Sequence, residues 1–76
     1  MTNSKLLYDK IKEKGLKIGF IVEKLGTSYS WFKKKADGLV AFKAYEIQIL
    51  CEILDITDHE EKEAIFFAID VENYST

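Results

Sequence analysis

The 22 residues KIGFIVEKLGTSYSWFKKKADG, numbers 17 to 38, decide the fold that this sequence predicts. Gly26 directly follows the first apolar run of this stretch. Thr27 and Ser28 come next and offer an N-cap for a second helix. The stretch therefore predicts two short helices that are joined by a tight glycine turn.

The second of these helices has one apolar face and one polar face. Phe32 and Ala36 are four residues apart and share a face, and Gly38 stands where a left-handed helix cap is expected. The other face carries mostly polar side chains: Tyr29, Ser30, Lys33 and Lys34. Lys33, Lys34 and Lys35 span about 200° of helix, so the three cannot all point into one groove. A short helix, a turn and a lysine-bearing helix is the layout that places side chains in the major groove of DNA.

The rest of the chain predicts an all-α protein of one domain, residues 1–76, folded as an orthogonal bundle of five helices. The helices are expected at residues 4–14, 18–25, 28–37, 44–54 and 58–69. Residues 39–42 are expected as an apolar connector over the core. Thr57 and Glu60 predict a capping box at the start of the fifth helix. Residues 70–76 are expected as a tail, in which Val71 and Tyr74 could pair as an edge strand.

Composition limits the class of protein. Hydrophobic residues make up 47% of the chain and charged residues 32%, which is ordinary for a globular domain. The apolar runs are too short to span a bilayer and no signal peptide is recognisable, so we expect a cytoplasmic protein without membrane contact. The single cysteine, Cys51, fits a reducing compartment and lies on the apolar stripe of the fourth helix, which predicts a buried thiol.

The charge is divided along the chain. Residues 1–43 hold ten lysines against four acidic residues, a net charge of +6, whereas residues 44–76 hold one lysine against nine acidic residues, a net charge of −8. This division predicts a basic half that faces a polyanion and an acidic half that faces elsewhere. Random scatter on a Lys/Glu-rich surface is the alternative.

The segment VEKLGTS, residues 22–28, resembles the helix-turn-helix of phage repressor and Cro-like proteins, notably the small regulators of phages and prophages of low-GC Gram-positive bacteria. Phe32, Gly38 and the segment FKAYEI at residues 42–47 extend the resemblance, which covers about residues 5–56. It implies a phage repressor-like fold and a transcriptional regulator that binds double-stranded operator DNA as a homodimer. The DNA-binding residues that it implies are Lys17, Ser28, Tyr29, Ser30, Lys33, Lys34 and Lys43.

The resemblance also implies roles for these side chains. Residues 28–30 would lie against base edges at the start of the recognition helix, residues 33 and 34 would lie one turn later, and Lys17 and Lys43 would contact the phosphates. Ile18 replaces the family's usual phosphate-holding glutamine, and Val22 replaces its usual small alanine. The recognition helix holds no Arg, Gln or Asn. Trp31 is expected either on a thymine methyl or sugar, or half-buried against the fourth helix.

Other kinds of site lack the residues that they need. His59 is expected at the surface, and no second histidine or cysteine stands at metal-ligand spacing, so we expect no metal, cofactor, small-molecule ligand or enzyme activity. The apolar end of the fifth helix, with Phe66, Phe67 and Ile69, predicts a dimer interface. The alternative function is a protein-interaction module of the anti-repressor or antitoxin kind, which keeps the helix-turn-helix fold and binds a protein partner through its acidic C-terminal half.

Overall fold

The computed structural model describes residues 1–69, which form five α-helices. They are α1 (Ser4–Lys14), α2 (Ile18–Leu25), α3 (Tyr29–Ala36), α4 (Ala44–Ile53) and α5 (His59–Phe66). These 69 residues contain no strand, which confirms the all-α fold class. The edge strand that the sequence suggested at Val71 and Tyr74 lies outside the described residues. In the described part of the chain, no helix has the length and apolar character that crossing a membrane requires.

The core is one apolar cluster to which every helix contributes. The ring centroid of Phe42 lies 6.1 Å from that of Phe32 and 5.9 Å from that of Phe66. These three rings join α3, the connector that precedes α4, and the end of α5. The other core side chains, each at most 7% exposed, are Leu7, Ile11, Ile21, Leu25, Ala36, Ile47, Leu50, Leu54, Ile56 and Ile65.

Side chains cap the starts of three helices. Asn3 caps α1, because its Oδ1 accepts from the backbone N–H of Leu6 at 3.1 Å. The capping box predicted at Thr57 and Glu60 is wrong. Asp58 is the N-cap of α5 instead, and its Oδ2 accepts from the N–H of Glu61 at 3.1 Å. Aspartate is at least as good an N-cap as threonine, so the helix begins one residue later than the box required.

α5 ends at Phe66, three residues before the predicted end at residue 69. The N-terminal segment explains the difference, because it runs alongside the end of this helix. The N–H of Asn3 donates to the carbonyl of Ile65 at 2.7 Å, and the N–H of Ala68 donates to the carbonyl of Met1 at 2.9 Å. These long-range bonds replace those that would continue the helix.

The connector at residues 39–42 does not lie over the core as predicted, since only Phe42 is buried. Leu39 is 76% exposed and Val40 is 37% exposed. Gly38 turns the chain at this point with φ of +84°, and the position of a Cβ there would be 3.2 Å from the carbonyl oxygen of Thr2. Backbone of the N-terminal segment therefore occupies the space beside the turn. The residues after Gly38 stay exposed to solvent, and the chain re-enters the core only at Phe42.

Candidate nucleic-acid interface

α3 is anchored by its apolar side and capped at its start. Phe32 is 1% exposed and Ala36 is fully buried. Ser28 has extended backbone dihedrals, and its Oγ accepts from the N–H of Trp31 at 3.2 Å. Gly26, in the turn before it, adopts φ of +67°, a left-handed conformation that other residues rarely adopt. The predicted helix–turn–helix unit is therefore formed by α2, this turn and α3.

The exposed side of α3 carries the side chains that the sequence analysis placed against base edges. Tyr29 is 60% exposed, and Trp31 is 51% exposed. Ser28 and Ser30 are also exposed, with 3.4 Å between their hydroxyl oxygens. Tyr29 and Trp31 are two residues apart, about 200° around the helix axis, so they lie on opposite flanks of the N-terminal end of the helix.

The three consecutive lysines of α3 have three different environments. Lys35 points inward, and its Nζ lies 2.7 and 3.0 Å from the two carboxylate oxygens of Glu46. Lys33 donates to Asp37 at 3.1 Å, which raises the pKa of Lys33. Lys34 makes no ion pair with any residue in 1–69, and its Nζ lies 5.2 Å from the centroid of the Trp31 ring. Only one lysine of this run is free to meet a ligand.

Asp37 is held from a second side by Tyr8 of α1. The Tyr8 hydroxyl donates to Asp37 at 3.1 Å, and partial burial together with this bond raises the pKa of Tyr8. The same carboxylate therefore accepts from Tyr8 and from Lys33. The pairing of Lys33 reduces its freedom to approach a phosphate.

The buried pair of Lys35 and Glu46 is a feature that the sequence analysis missed. Their side chains are 9% and 1% exposed. Glu46 also accepts from the backbone N–H of Lys43 at 2.8 Å. Its carboxylate therefore neutralises the charge of Lys35 on α3 and also satisfies a backbone donor at the start of α4. The sequence does indicate that Glu46 is buried, because it stands four residues before the core residue Leu50 and residues at that spacing share a helix face.

Lys17 and Lys43 occupy the N-cap positions of α2 and α4. Neither makes a side-chain capping bond, in contrast to the caps of the other three helices, and both are exposed. The start of a helix carries partial positive charge, and a lysine beside it adds a full one. Both positions therefore suit an anionic group. Lys17 lies at the far end of α2 from the Gly26 turn, about 12 Å along the helix axis.

A cleft of about 500 Å³ separates α3 from the start of α4. Trp31, Val40 and Tyr45 form apolar walls, Lys43 lies at its edge, and the Lys35–Glu46 pair lies among its lining residues. Tyr45 is 53% exposed. The cleft brings Lys43 to the same surface as Trp31, so the candidate interface extends from the recognition helix to the next helix.

A second groove of about 550 Å³ lies in the acidic half, between the end of α4 and the start of α5. Glu52, Asp55 and Asp58 line it together with Cys51 and Lys62. Cys51 is half-buried, not fully buried as predicted, and burial raises the pKa of its thiol. His59, also beside this groove, is exposed as predicted, 3.5 Å from Glu63.

The three residues that the sequence analysis assigned to a dimer interface are not on one surface. Phe66 is 4% exposed and packs against Phe42 in the core, so it cannot contribute to an intermolecular contact. Phe67 and Ile69 are 47% and 67% exposed. The bond from Ala68 to Met1 places these two side chains beside the N-terminal segment.

Comparison with known proteins identifies no relatives. A scan of the sequence against protein-family models, a search of curated proteins and a search of solved structures each find no match. The residues and their geometry are therefore what supports a function for this chain.

Proposed function

We propose that this chain is a transcriptional regulator of the phage or prophage repressor or Cro type, which binds operator DNA through α3. The observation that supports this most directly is that one face of this helix is buried while the opposite face is exposed. One face is fixed in the core through Phe32, while the other carries exposed Tyr29, Ser30 and Lys34. A helix presented in this way after a short turn is what major-groove recognition uses.

The distribution of free cations also supports the proposal. Five lysines within residues 1–43 make no ion pair with residues 1–69: Lys12, Lys17, Lys24, Lys34 and Lys43. Two of them begin helices, and a third lies on α3. Contacts between basic side chains and phosphates supply most of the non-specific affinity of a protein for DNA, which does not depend on the base sequence.

Salt dependence of binding to a labelled DNA duplex tests the proposal. Each lysine that contacts a phosphate contributes about 0.9 to the slope of log K against log salt. Lys34→Ala and Lys43→Ala should each weaken binding and flatten this slope by about one. Lys33→Ala should have a smaller effect, because Asp37 already holds that ammonium group.

Lys12→Ala is the matched control, since Lys12 is also an exposed lysine but lies in the last turn of α1, outside α3 and the two helix starts that we assign to DNA contact. It removes the same charge from the protein, but it should leave the slope unchanged. Trp31 is the only tryptophan of the chain and lies on the proposed interface, so its emission gives a second measure of binding. Absence of binding to any duplex at low salt would exclude the proposed function.

The proposed regulator acts as a homodimer, because two recognition helices about 34 Å apart can read two half-sites. The surface that we assign to this contact consists of Phe67, Ile69, Met1 and Leu39, all of which are exposed. The backbone bond between Ala68 and Met1 and the approach of Thr2 to Gly38 show that the segments carrying these residues are neighbours. Self-association of a surface needs groups that do not repel their own copies, and these side chains are apolar.

A protein-interaction module is the second candidate function. The observation that favours it is the exposed apolar surface of Trp31, Leu39, Val40 and Tyr45, which is unusual for a surface that only binds phosphate. The acidic groove beside Glu52 would be a further contact for a partner, as the sequence analysis suggested for the acidic half. The salt-dependence measurement separates the two functions, since a module of this kind should not bind duplex DNA at low salt.

A further inference from the structure

Few of the exposed side chains of α3 are free to form hydrogen bonds with a base. The Oγ of Ser28 already accepts from the N–H of Trp31 and lies 3.4 Å from the hydroxyl of Ser30. Lys33 is bonded to Asp37, which the Tyr8 hydroxyl also holds. Lys34 is therefore the single ammonium of α3 that is free to bind, and it lies over the Trp31 ring.

The small number of free hydrogen-bonding side chains on α3 limits which bases this helix can recognise in the major groove. Guanine is usually read by a bidentate Arg or Lys, adenine by Asn or Gln, and cytosine by Asp or Glu. The chain contains no arginine, and α3 contains no Asn, Gln, Asp or Glu. Thymine differs from the other bases because it presents a methyl group, which apolar side chains contact.

Aromatic rings provide the largest exposed groups of this helix. Tyr29 and Trp31 are 60% and 51% exposed. The ammonium groups of Lys34 and Lys35 lie 5.2 and 5.9 Å from the centroid of the indole, within the range of a cation–π contact. Lys35 is itself fixed by Glu46, so the ring is attached to a rigid part of the protein.

We infer that α3 selects DNA through the 5-methyl groups of thymine, which Trp31 and Tyr29, on the two flanks of its N-terminal end, contact in the major groove. The preferred sites are then rich in thymine on the strand that faces this helix, and guanine contributes at most one contact, through Lys34. This inference rests on the proposed function and specifies which duplexes the protein prefers.

Replacement of thymine by deoxyuridine tests the inference, because it removes the methyl group and keeps the base pair. The probes are a labelled A·T-rich duplex and the same duplex with deoxyuridine in place of every thymine, measured by fluorescence anisotropy. Burying one methyl group corresponds to roughly fourfold in affinity, and two methyl groups to about fifteenfold. A G·C-rich duplex should gain affinity by a similar factor when its cytosines carry a 5-methyl group.

Substitutions at the exposed rings identify which side chains contact the 5-methyl group of thymine. Trp31→Ala and Tyr29→Ala should each reduce the preference for thymine over deoxyuridine, while Trp31→Phe should retain part of it. Phe20→Ala is the matched control, because Phe20 is an exposed ring on α2 and its loss should leave the preference intact. All four residue changes are at exposed positions, and circular dichroism verifies that the variants are folded.

The outcomes separate this inference from the proposed function. Salt-dependent binding with equal affinity for the two duplexes would overturn the inference and leave DNA binding in place. A preference that is undiminished in both alanine variants would also overturn it, because the shape of the DNA would then be the cause. Failure to bind any duplex at low salt would exclude the proposed function and the inference together.

Discussion

The buried ion pair between Lys35 and Glu46 makes a strong prediction about stability. Its two bonds measure 2.7 and 3.0 Å, and its side chains are 9% and 1% exposed. Removing one member of such a pair leaves the other charge buried without compensation, which typically costs about 3–5 kcal/mol. We expect Lys35→Met and Glu46→Gln each to lower the free energy of unfolding by an amount in this range.

The expected loss is large in relation to the whole domain. A chain of 76 residues has a free energy of unfolding of roughly 4–11 kcal/mol. A loss of about 3 kcal/mol should lower Tm by about 12–24 °C in a domain of this size. Glu46→Gln keeps an oxygen that can accept from the N–H of Lys43, so its effect isolates the loss of charge.

The double variant completes the measurement. Lys35→Met combined with Glu46→Gln removes both charges, so it should recover most of the stability that either single change loses. Urea denaturation followed by circular dichroism at 222 nm gives the four free energies of the cycle. Strictly additive losses, or single losses below about 1 kcal/mol, would refute the description of this pair as buried and coupled.

Lys5 and Asp9 provide the control cycle. Their ion pair has the same 2.7 Å separation, but its side chains are 83% and 59% exposed. Water already solvates both charges, so Lys5→Met and Asp9→Asn should leave the urea midpoint unchanged. A difference between the two cycles would show that burial, and not distance, determines the effect.

Three further measurements address other parts of the chain. Gly26→Ala should lower the free energy of unfolding by about 1–2 kcal/mol, because alanine is strained at φ of +67°. Gly19→Ala, in the helix beside it, should raise this free energy by about 0.5–1 kcal/mol, and urea midpoints that move in the same direction would contradict both expectations. Because burial raises the pKa of Cys51, its alkylation by iodoacetamide should require a higher pH in the folded protein than in urea; coincident pH–rate profiles would contradict this. Ile69→Lys should reduce the dimer fraction in sedimentation velocity, whereas a wild-type monomer at tens of micromolar would exclude the assigned interface.

Local signals made the first three helices predictable. Asn3 and Ser28 are residue types that favour the N-cap positions they occupy, and Gly15 and Gly26 occupy the C-cap positions of α1 and α2. The predicted limits of α1 and α2 are confirmed. At α5, Thr57 and Asp58 are adjacent candidate caps, and their order in the sequence does not decide which one the helix uses.

Long-range contacts explain what the sequence did not predict. Leu39 and Val40 are exposed because backbone of the N-terminal segment, more than 30 residues away in the chain, occupies the space beside Gly38. Lys35 is buried because Glu46, eleven residues later, meets it across the cleft. The spacing of Glu46 from Leu50 indicates that Glu46 faces the core, but no pattern within α3 identifies Lys35 as its partner. A long-range contact also accounts for Phe66, which is in the core because Phe42 reaches it.

The separation of the three adjacent lysines changes what the recognition helix can contribute to DNA affinity. Within residues 1–69, only Lys34 remains without an ion pair on α3, so we assign the remaining phosphate contacts to Lys17 and Lys43 at the starts of α2 and α4. Three contacts in each protomer correspond to a salt slope of about −2.7, and two protomers on one operator to about −5.4. A measured slope well above six in magnitude would mean that further lysines contact phosphate, either Lys33 released from Asp37 or Lys12 and Lys24, which make no ion pair in the described part of the chain. A slope of about 2.7 in magnitude would match the three assigned contacts of a single protomer and would mean that no second protomer is bound.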